Sequence, residues 1–175
     1  MEYRLPSLDD KEQIIDYIKE HYSYNEKSLS ASNGLTGMKY EEWVDNIKKN
    51  VNIPNGDWGK SLTYLVFDNK KLVGILSIRY DLSTEYAGYY GHIGYGVRPN
   101  ERRKGYATKM LKYALEECKK YGLNKVILGC YKDNIGSAKT IEKNGGILIR
   151  EDLEEIDIDI NYSLKLIRQY YEIIL

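Results

Sequence analysis

The chemistry-bearing stretch of this chain is Arg102-Arg103-Lys104-Gly105-Tyr106-Ala107-Thr108. A strand-like run, Gly91–Val97, precedes it, and an apolar stripe at helical spacing follows from about Arg103 to Tyr121. A strand leading through a basic, glycine-containing turn into a helix start is an anion-binding arrangement. The first amides of a helix lack partners inside it, and the helix dipole makes that end positive. Gly105 has no Cβ, so an anion can approach the backbone closely. Arg102, Arg103 and Lys104 would add mobile cations beside the amides. Their alternative is a solvated surface cluster. The turn reads as a cradle for a pyrophosphate.

Four further residues could move protons. His92 lies on the strand before the turn, and histidine is the side chain matched to neutral pH. Glu85 and Glu101 read as loop carboxylates in water, and Tyr131 ends the next strand-like run, Lys125–Tyr131. Asn134 stands at a helix start, with Ser137 one turn in.

Arg102-Arg-Lys-Gly105-Tyr-Ala107 resembles the [Arg/Gln]-x-x-Gly-x-[Gly/Ala] motif of the GNAT superfamily of acyl-CoA-dependent N-acetyltransferases. Asn134-Ile-Gly-Ser137 followed by Lys143-Asn-Gly145 is similar to that family's second landmark. The two landmarks cover about Gly91 to Arg150. The resemblance implies an α/β fold in which a twisted mixed sheet of about six to seven strands is flanked by about four helices. It implies acetyl-CoA as co-substrate and a primary amine, on a small molecule or a protein, as acceptor. It implies that Tyr95, Gly96 and Val97 pair with the pantetheine arm as an added strand does. That arm would lie in a gap between the central strand and Lys125–Tyr131. Gly105, Tyr106, Ala107 and Thr108 would hold the pyrophosphate with the three basic residues. Asn134 and Ser137 would meet the arm, or Asn134 is only a helix cap.

The family's base falls on Gly91, one residue from His92. A one-residue shift on a strand turns a side chain to the other face. His92 is therefore either a base or water-orienter, or a packed structural histidine. The family's tyrosine acid falls on Ile141, which has no proton to give. Tyr131 could replace it, or the thiolate leaves unaided. These departures keep a second function open, a GNAT-like domain that senses CoA without catalysis. A direct attack in a ternary complex is expected, since no cysteine stands where a covalent carrier would. The family often dimerises, which allows a homodimer.

Composition narrows the classes. The 175 residues carry 26 basic and 26 acidic side chains, so no bulk charge favours nucleic acid or an anionic membrane. No apolar run approaches the ~20 residues of a membrane span. The N-terminus lacks an apolar signal core, so a cytoplasmic location is expected. Cys118 and Cys130 sit in apolar contexts and read as reduced core residues, and two histidines with two scattered cysteines make no metal set. Eighteen tyrosines against one phenylalanine reflect base composition and core filling, or else a tyrosine-lined pocket.

These residues need elements to position them, and the chain reads as one domain over residues 1–175. Glu2–Leu5 is a short strand. Pro6–Asp10 starts a helix to about Tyr22, with Ile14, Ile15, Ile18 and Tyr22 on one face. Ser23–Leu35 is a loop, and a second helix over Gly37–Lys49 carries Tyr40, Trp43, Val44 and Ile47. By the resemblance, these helices and their loop border the acceptor. Gly56–Ser61 resembles a P-loop, but Pro54 replaces its first glycine and a strand follows where a helix should. Leu62–Phe67 and Leu72–Tyr80 form a hairpin, Asp81–Ala87 a loop, and Tyr89–Val97 the central strand. Gly94 and Gly96 would open a dinucleotide fingerprint, but Pro99 stands at its third glycine. The helix after the turn carries Ala107, Met110, Leu111, Ala114, Leu115 and Cys118. A helix from Asn134 to about Asn144 follows the next strand. Ile147–Ile149 begins a further strand, Glu151–Asp159 is an acidic run that could attract a polyamine, an aminoglycoside or a lysine-rich protein, or is a solvated strand edge, and Tyr162–Ile174 could supply a last strand or hairpin.

Overall fold

The computed structural model describes residues 1–159 and 162–175. Among these residues, seven strands and five α-helices alternate. β1 (Glu2–Arg4), β2 (Ser61–Asp68), β3 (Lys71–Arg79) and β4 (Ile93–Val97) form one antiparallel sheet in that order. β5 (Lys125–Tyr131), β6 (Ile147–Asp159) and β7 (Tyr162–Ile174) form a second, with β7 in the middle. The hairpin of β6 and β7 thus feeds its second strand against β5, from Lys125 opposite Ile174 to Tyr131 opposite Arg168.

Two apolar layers cover the first sheet, which is why β2 and β3 are buried along nearly their whole length. On one side pack α1 (Lys11–Ser23) and α2 (Tyr40–Asn50), with Trp43, Val44 and Ile47 against Leu65, Phe67 and Ile75. On the other lies α4 (Tyr106–Lys120), whose Met110, Leu111, Ala114 and Cys118 meet Val66, Val73, Leu76 and also Val126 and Leu128 of the second sheet. α5 (Ile135–Lys143) follows β5, and Asn134 caps it by accepting the Ser137 amide at 3.1 Å. Cys118 and Cys130 are both buried free thiols.

Two sequence expectations are corrected. α1 buries Ile14, Tyr17 and His21, while Ile15 and Tyr22 are exposed. The helix is rotated so that His21 faces inward, where its Nδ1 meets Glu26 at 2.8 Å while its Nε2 is buried without a partner among the described residues. The expected loop and strand start at residues 81–92 contain instead a helix, α3 (Thr84–Tyr90). Ser83 caps it, accepting from the Tyr86 amide at 3.4 Å, and Gly91 ends it at φ +76°. A Cβ at Gly91 would stand 2.9 Å from the Ile127 carbonyl, so both the turn and the close approach exclude other residues. The P-loop look-alike is a single 3₁₀ turn, Gly56–Trp58, before β2.

Candidate active site

No ladder pairing joins β4 to β5. They touch where β4 begins. The His92 amide donates to the Ile127 carbonyl at 2.7 Å, and the Ile127 amide donates to His92 Nδ1 at 3.0 Å. Beyond this bridge β4 is bonded to β3 alone, so its other edge borders a seam. Five residues of strand make that seam about 16 Å long. Tyr95 sends its hydroxyl across to Ser137 Oγ at 2.9 Å, linking β4 to α5. Burial raises the Tyr95 pKa to about 12, so the phenol is protonated at neutral pH. The other face of β4 is covered by the α1–α2 loop. A Cβ at Gly96 would lie 3.0 Å from the Ser30 carbonyl.

At the far end of β4 stands the basic turn. Its backbone is left-handed at Arg103 (φ +63°) and Gly105 (φ +81°), on either side of Lys104. This winding turns successive amides toward one side, as in anion-binding nests. No side chain caps α4, and its first recorded bond runs from the Lys109 amide to Gly105. The amides of Tyr106, Ala107 and Thr108 therefore donate to no partner among the described residues. A Cβ on Gly105 would meet open space, so the approach to them is clear.

The side chains of the turn behave differently from the expectation of mobile cations. Arg102 is held by both oxygens of Glu26 at 2.6 Å, and its Nε donates to the Val97 carbonyl at 3.1 Å. Lys104 is bound to Glu101 at 2.7 Å. Glu101 is not a carboxylate in water. It is buried, with Lys71 also on it at 2.6 Å, and these two lysines hold its pKa below the usual range. Only Arg103 of the three has no ion pair among the described residues. Local attraction explains the difference, because Glu26 and Glu101 are close enough to neutralise their neighbours before any ligand does.

His92 also has a settled geometry. Its Nδ1 accepts from a backbone amide, so in the neutral ring Nε2 carries the proton. Burial lowers its pKa, which keeps the ring neutral. Tyr131 is equally engaged. Its hydroxyl receives Arg168 at 3.0 Å and donates to Glu154 at 3.2 Å. Asn134 serves α5 as a cap.

Sequence reasoning missed Arg98, which is 2% exposed. Its guanidinium binds Glu20 at 2.8 Å, Asp16, and the Leu72 carbonyl at 3.2 Å. Glu20 also accepts the Asn100 amide at 2.9 Å, and Tyr24 donates to the Asn100 side chain at 2.7 Å. These bonds fasten the turn to the end of α1. A basic residue just before Pro99 was the only signal for it.

The sequence model of the acetyltransferase (GNAT) family matches residues 30–146. The chain belongs to this family. No functionally curated protein matches it in sequence. Among solved structures, a GNAT acetyltransferase from Streptococcus pneumoniae superposes with a TM-score of 0.71 at 17% identity, covering 99% of each chain. The Salmonella typhimurium acetyltransferase that modifies the N-terminal serine of ribosomal protein L7/L12 gives 0.67 at 16%, over 99% of this chain and 94% of that one. The microcin C7 self-immunity acetyltransferase MccE, solved with acetyl-CoA and AMP, gives 0.68 at 18%, over 99% and 91%. At these identities the likeness is one of fold.

Proposed function

We propose that the chain is an acetyl-CoA-dependent N-acetyltransferase acting on a primary amine by direct attack. The observation that carries this reading is the free β4 edge ending at the unpaired amides of Tyr106, Ala107 and Thr108. A coenzyme with a phosphate-rich end and an amide-rich arm fits that combination of donors and open strand edge. The pyrophosphate would meet the backbone of residues 103–108, with Arg103 as the cation not already paired. The pantetheine arm would lie along Tyr95–Val97. Asn134 and Ser137 border it from the α5 side.

Acetyl-CoA supplies an acyl group on a good leaving thiolate. The amine nitrogen forms a bond to the carbonyl carbon, the C–S bond breaks, and the electron pair leaves on sulfur. The amine's proton must first be lost, since an alkyl ammonium has a pKa near ~10.4. With Nδ1 bonded and Nε2 protonated, His92 has no lone pair for that proton, so we assign it to solvent water. The Tyr131 proton is committed to Glu154, whereas in the Tyr95–Ser137 bond either hydroxyl can donate. With Ser137 donating, the Tyr95 O–H is free, and we assign it the hydrogen bond to the departing sulfur. The reading treats residues 1–175 as one catalytic domain.

Titration calorimetry with acetyl-CoA, followed by thiol release across a panel of amines, tests the proposal. Heat from acetyl-CoA and amine-dependent thiol release are expected. The engagement of both His92 and Tyr131 favours one rival, a CoA sensor without turnover. Protection from heat by CoA with no thiol release from any amine would establish that rival.

A further inference from the structure

Between α3 and β6 lies a cavity of about 710 Å³ walled by Glu85, Tyr86, Tyr89, Tyr90, Arg150 and Asp152. Its size is that of a small-molecule site. The spacing 86, 89, 90 puts three rings on one face of α3. Tyr86 and Tyr90 stack at 5.6 Å, Tyr89 meets Tyr90 edge-on at 4.7 Å, and Trp58 leans on Tyr90 at 4.4 Å. Tyr89 and Tyr90 nevertheless remain 50% and 40% exposed. The wall is braced from outside. Tyr86 donates to Asp57 at 2.9 Å, Arg150 donates to the Gly88 carbonyl at 2.8 Å, and Arg79 donates to the Gly91 carbonyl at 2.9 Å. The last bond attaches the cavity to the start of β4, beside the His92 bridge.

The charges of this wall are unequal. Arg150 is occupied by Asp152 at 3.0 Å and lies over the Tyr170 ring at 4.0 Å. Glu85 has no ion pair or hydrogen bond among the described residues. Aromatic faces beside a free carboxylate favour a cation. The nitrogen that attacks a thioester must be neutral, however, and a carboxylate beside it would hold its proton on. The cation recognised here is then a second, non-reacting one.

We infer that this cavity is the acceptor pocket and that it selects amines carrying a second ammonium group, held by Glu85 and the rings of Tyr86, Tyr89 and Tyr90. The inference rests on the acetyl-transfer reading above. Asp152 and Tyr89 also line an adjoining cavity of about 380 Å³ bordered by Glu154 and Glu155, which gives a longer polyamine room to continue.

The test compares thiol release from acetyl-CoA with butylamine, 1,4-diaminobutane, spermidine and 2-phenylethylamine at one pH. The diamine should exceed butylamine in kcat/KM by about tenfold, the scale of a solvent-exposed cation–aromatic contact together with its counter-charge. Glu85→Gln and Tyr89→Leu should each shrink that ratio toward one while the heat of acetyl-CoA binding stays at the parent value. In calorimetry on the CoA complex, diaminobutane should bind the parent and not Glu85→Gln. Equal rates for butylamine and diaminobutane, a ratio that survives Glu85→Gln, or a preference for 2-phenylethylamine overturns the inference and leaves acetyl transfer standing. No heat from acetyl-CoA overturns both.

Discussion

The two ends of β4 are built on opposite plans. At its C-terminal end the turn is fastened from three directions. Arg98 binds Asp16 and Glu20 of α1, Arg102 binds Glu26 of the α1–α2 loop, and Glu101 binds Lys71 of β3. At its N-terminal end α3 presents half-exposed tyrosines and an unpaired glutamate, with a few bonds to backbone carbonyls behind them. A polyanion of fixed shape needs preset amides, and charge already neutralised around the turn keeps those amides in place without competing for the ligand. The tyrosines of α3 are left half in water. That surface contributes little to stability. The turn is therefore fixed by its ion pairs to neighbouring elements, whereas α3 is left at the surface.

The sharpest way to break this contrast is Arg98→Ala. Removing the guanidinium leaves Glu20, which is 16% exposed at its side chain, beside a buried void. Loss of one partner from a buried ion pair costs about 3 kcal/mol, and urea denaturation should show that loss together with weakened acetyl-CoA binding. Tyr89→Leu on α3 should move the same midpoint by less than about 0.5 kcal/mol, as surface changes do. Comparable losses at both sites would erase the distinction.

Gly105→Val isolates the ligand half of the turn. The residue sits at φ +81° with open space where a Cβ would be. The strained backbone should cost about 1 kcal/mol of stability. The added side chain would stand over the α4 amides, and affinity for acetyl-CoA should fall at least about tenfold by calorimetry. Unchanged affinity would mean the phosphates bind elsewhere.

How far the sequence carries depends on how local the physics is. The stripes of α2 (Tyr40, Trp43, Val44, Ile47) and α4 (Met110, Leu111, Ala114, Cys118) are buried as their spacing requires. Each helix has one apolar face, and period alone finds it. α1 misled because its inward face includes Tyr17, packed in the apolar cluster, and His21, whose Nδ1 is met by Glu26 from beyond the helix. α3 misled because Gly88 and three tyrosines are poor helix formers, although Ser83 and Gly91 stood at its two ends as cap and stop. The turn was legible as a glycine-containing helix start with unpartnered first amides. The pairing of its cations was not, since Arg98 meets Glu20 across 78 residues and Arg102 meets Glu26 across 76. Contacts of that span are set by packing, which a linear pattern does not record.

Acid titration separates the two ends more gently. Arg102 holds the Glu26 pKa below the usual range, and Lys104 with Lys71 does the same for Glu101. A carboxylate with a depressed folded pKa adds stability that is complete above its unfolded value, near ~4.3. That stability is lost as pH falls through the folded value. Unfolding free energy should therefore decline from about pH 4 downward. Glu101→Gln should flatten that decline.

The smallest effect is expected at His92, and it bears on both ends at once. The ring joins β4 to β5 through the Ile127 amide, and burial keeps it neutral by lowering its pKa. Protonation would cost the Nδ1 acceptor, so stability should slip as pH drops below about 6.5, the unfolded value. His92→Asn offers a carbonyl oxygen to the same amide and should keep the seam, with the acid-side slope reduced but not abolished, since burial also lowers the His21 pKa. If water takes the amine's proton, this variant should lose less than about tenfold in kcat/KM. The parent's pH–rate curve should climb toward the amine's own pKa without a histidine break at or below about 6.5. Loss of a true general base costs about 10²–10⁴-fold. A loss of that size in His92→Asn, with the fold intact, would move proton transfer onto the histidine and make the N-terminal end of β4 the chemical centre.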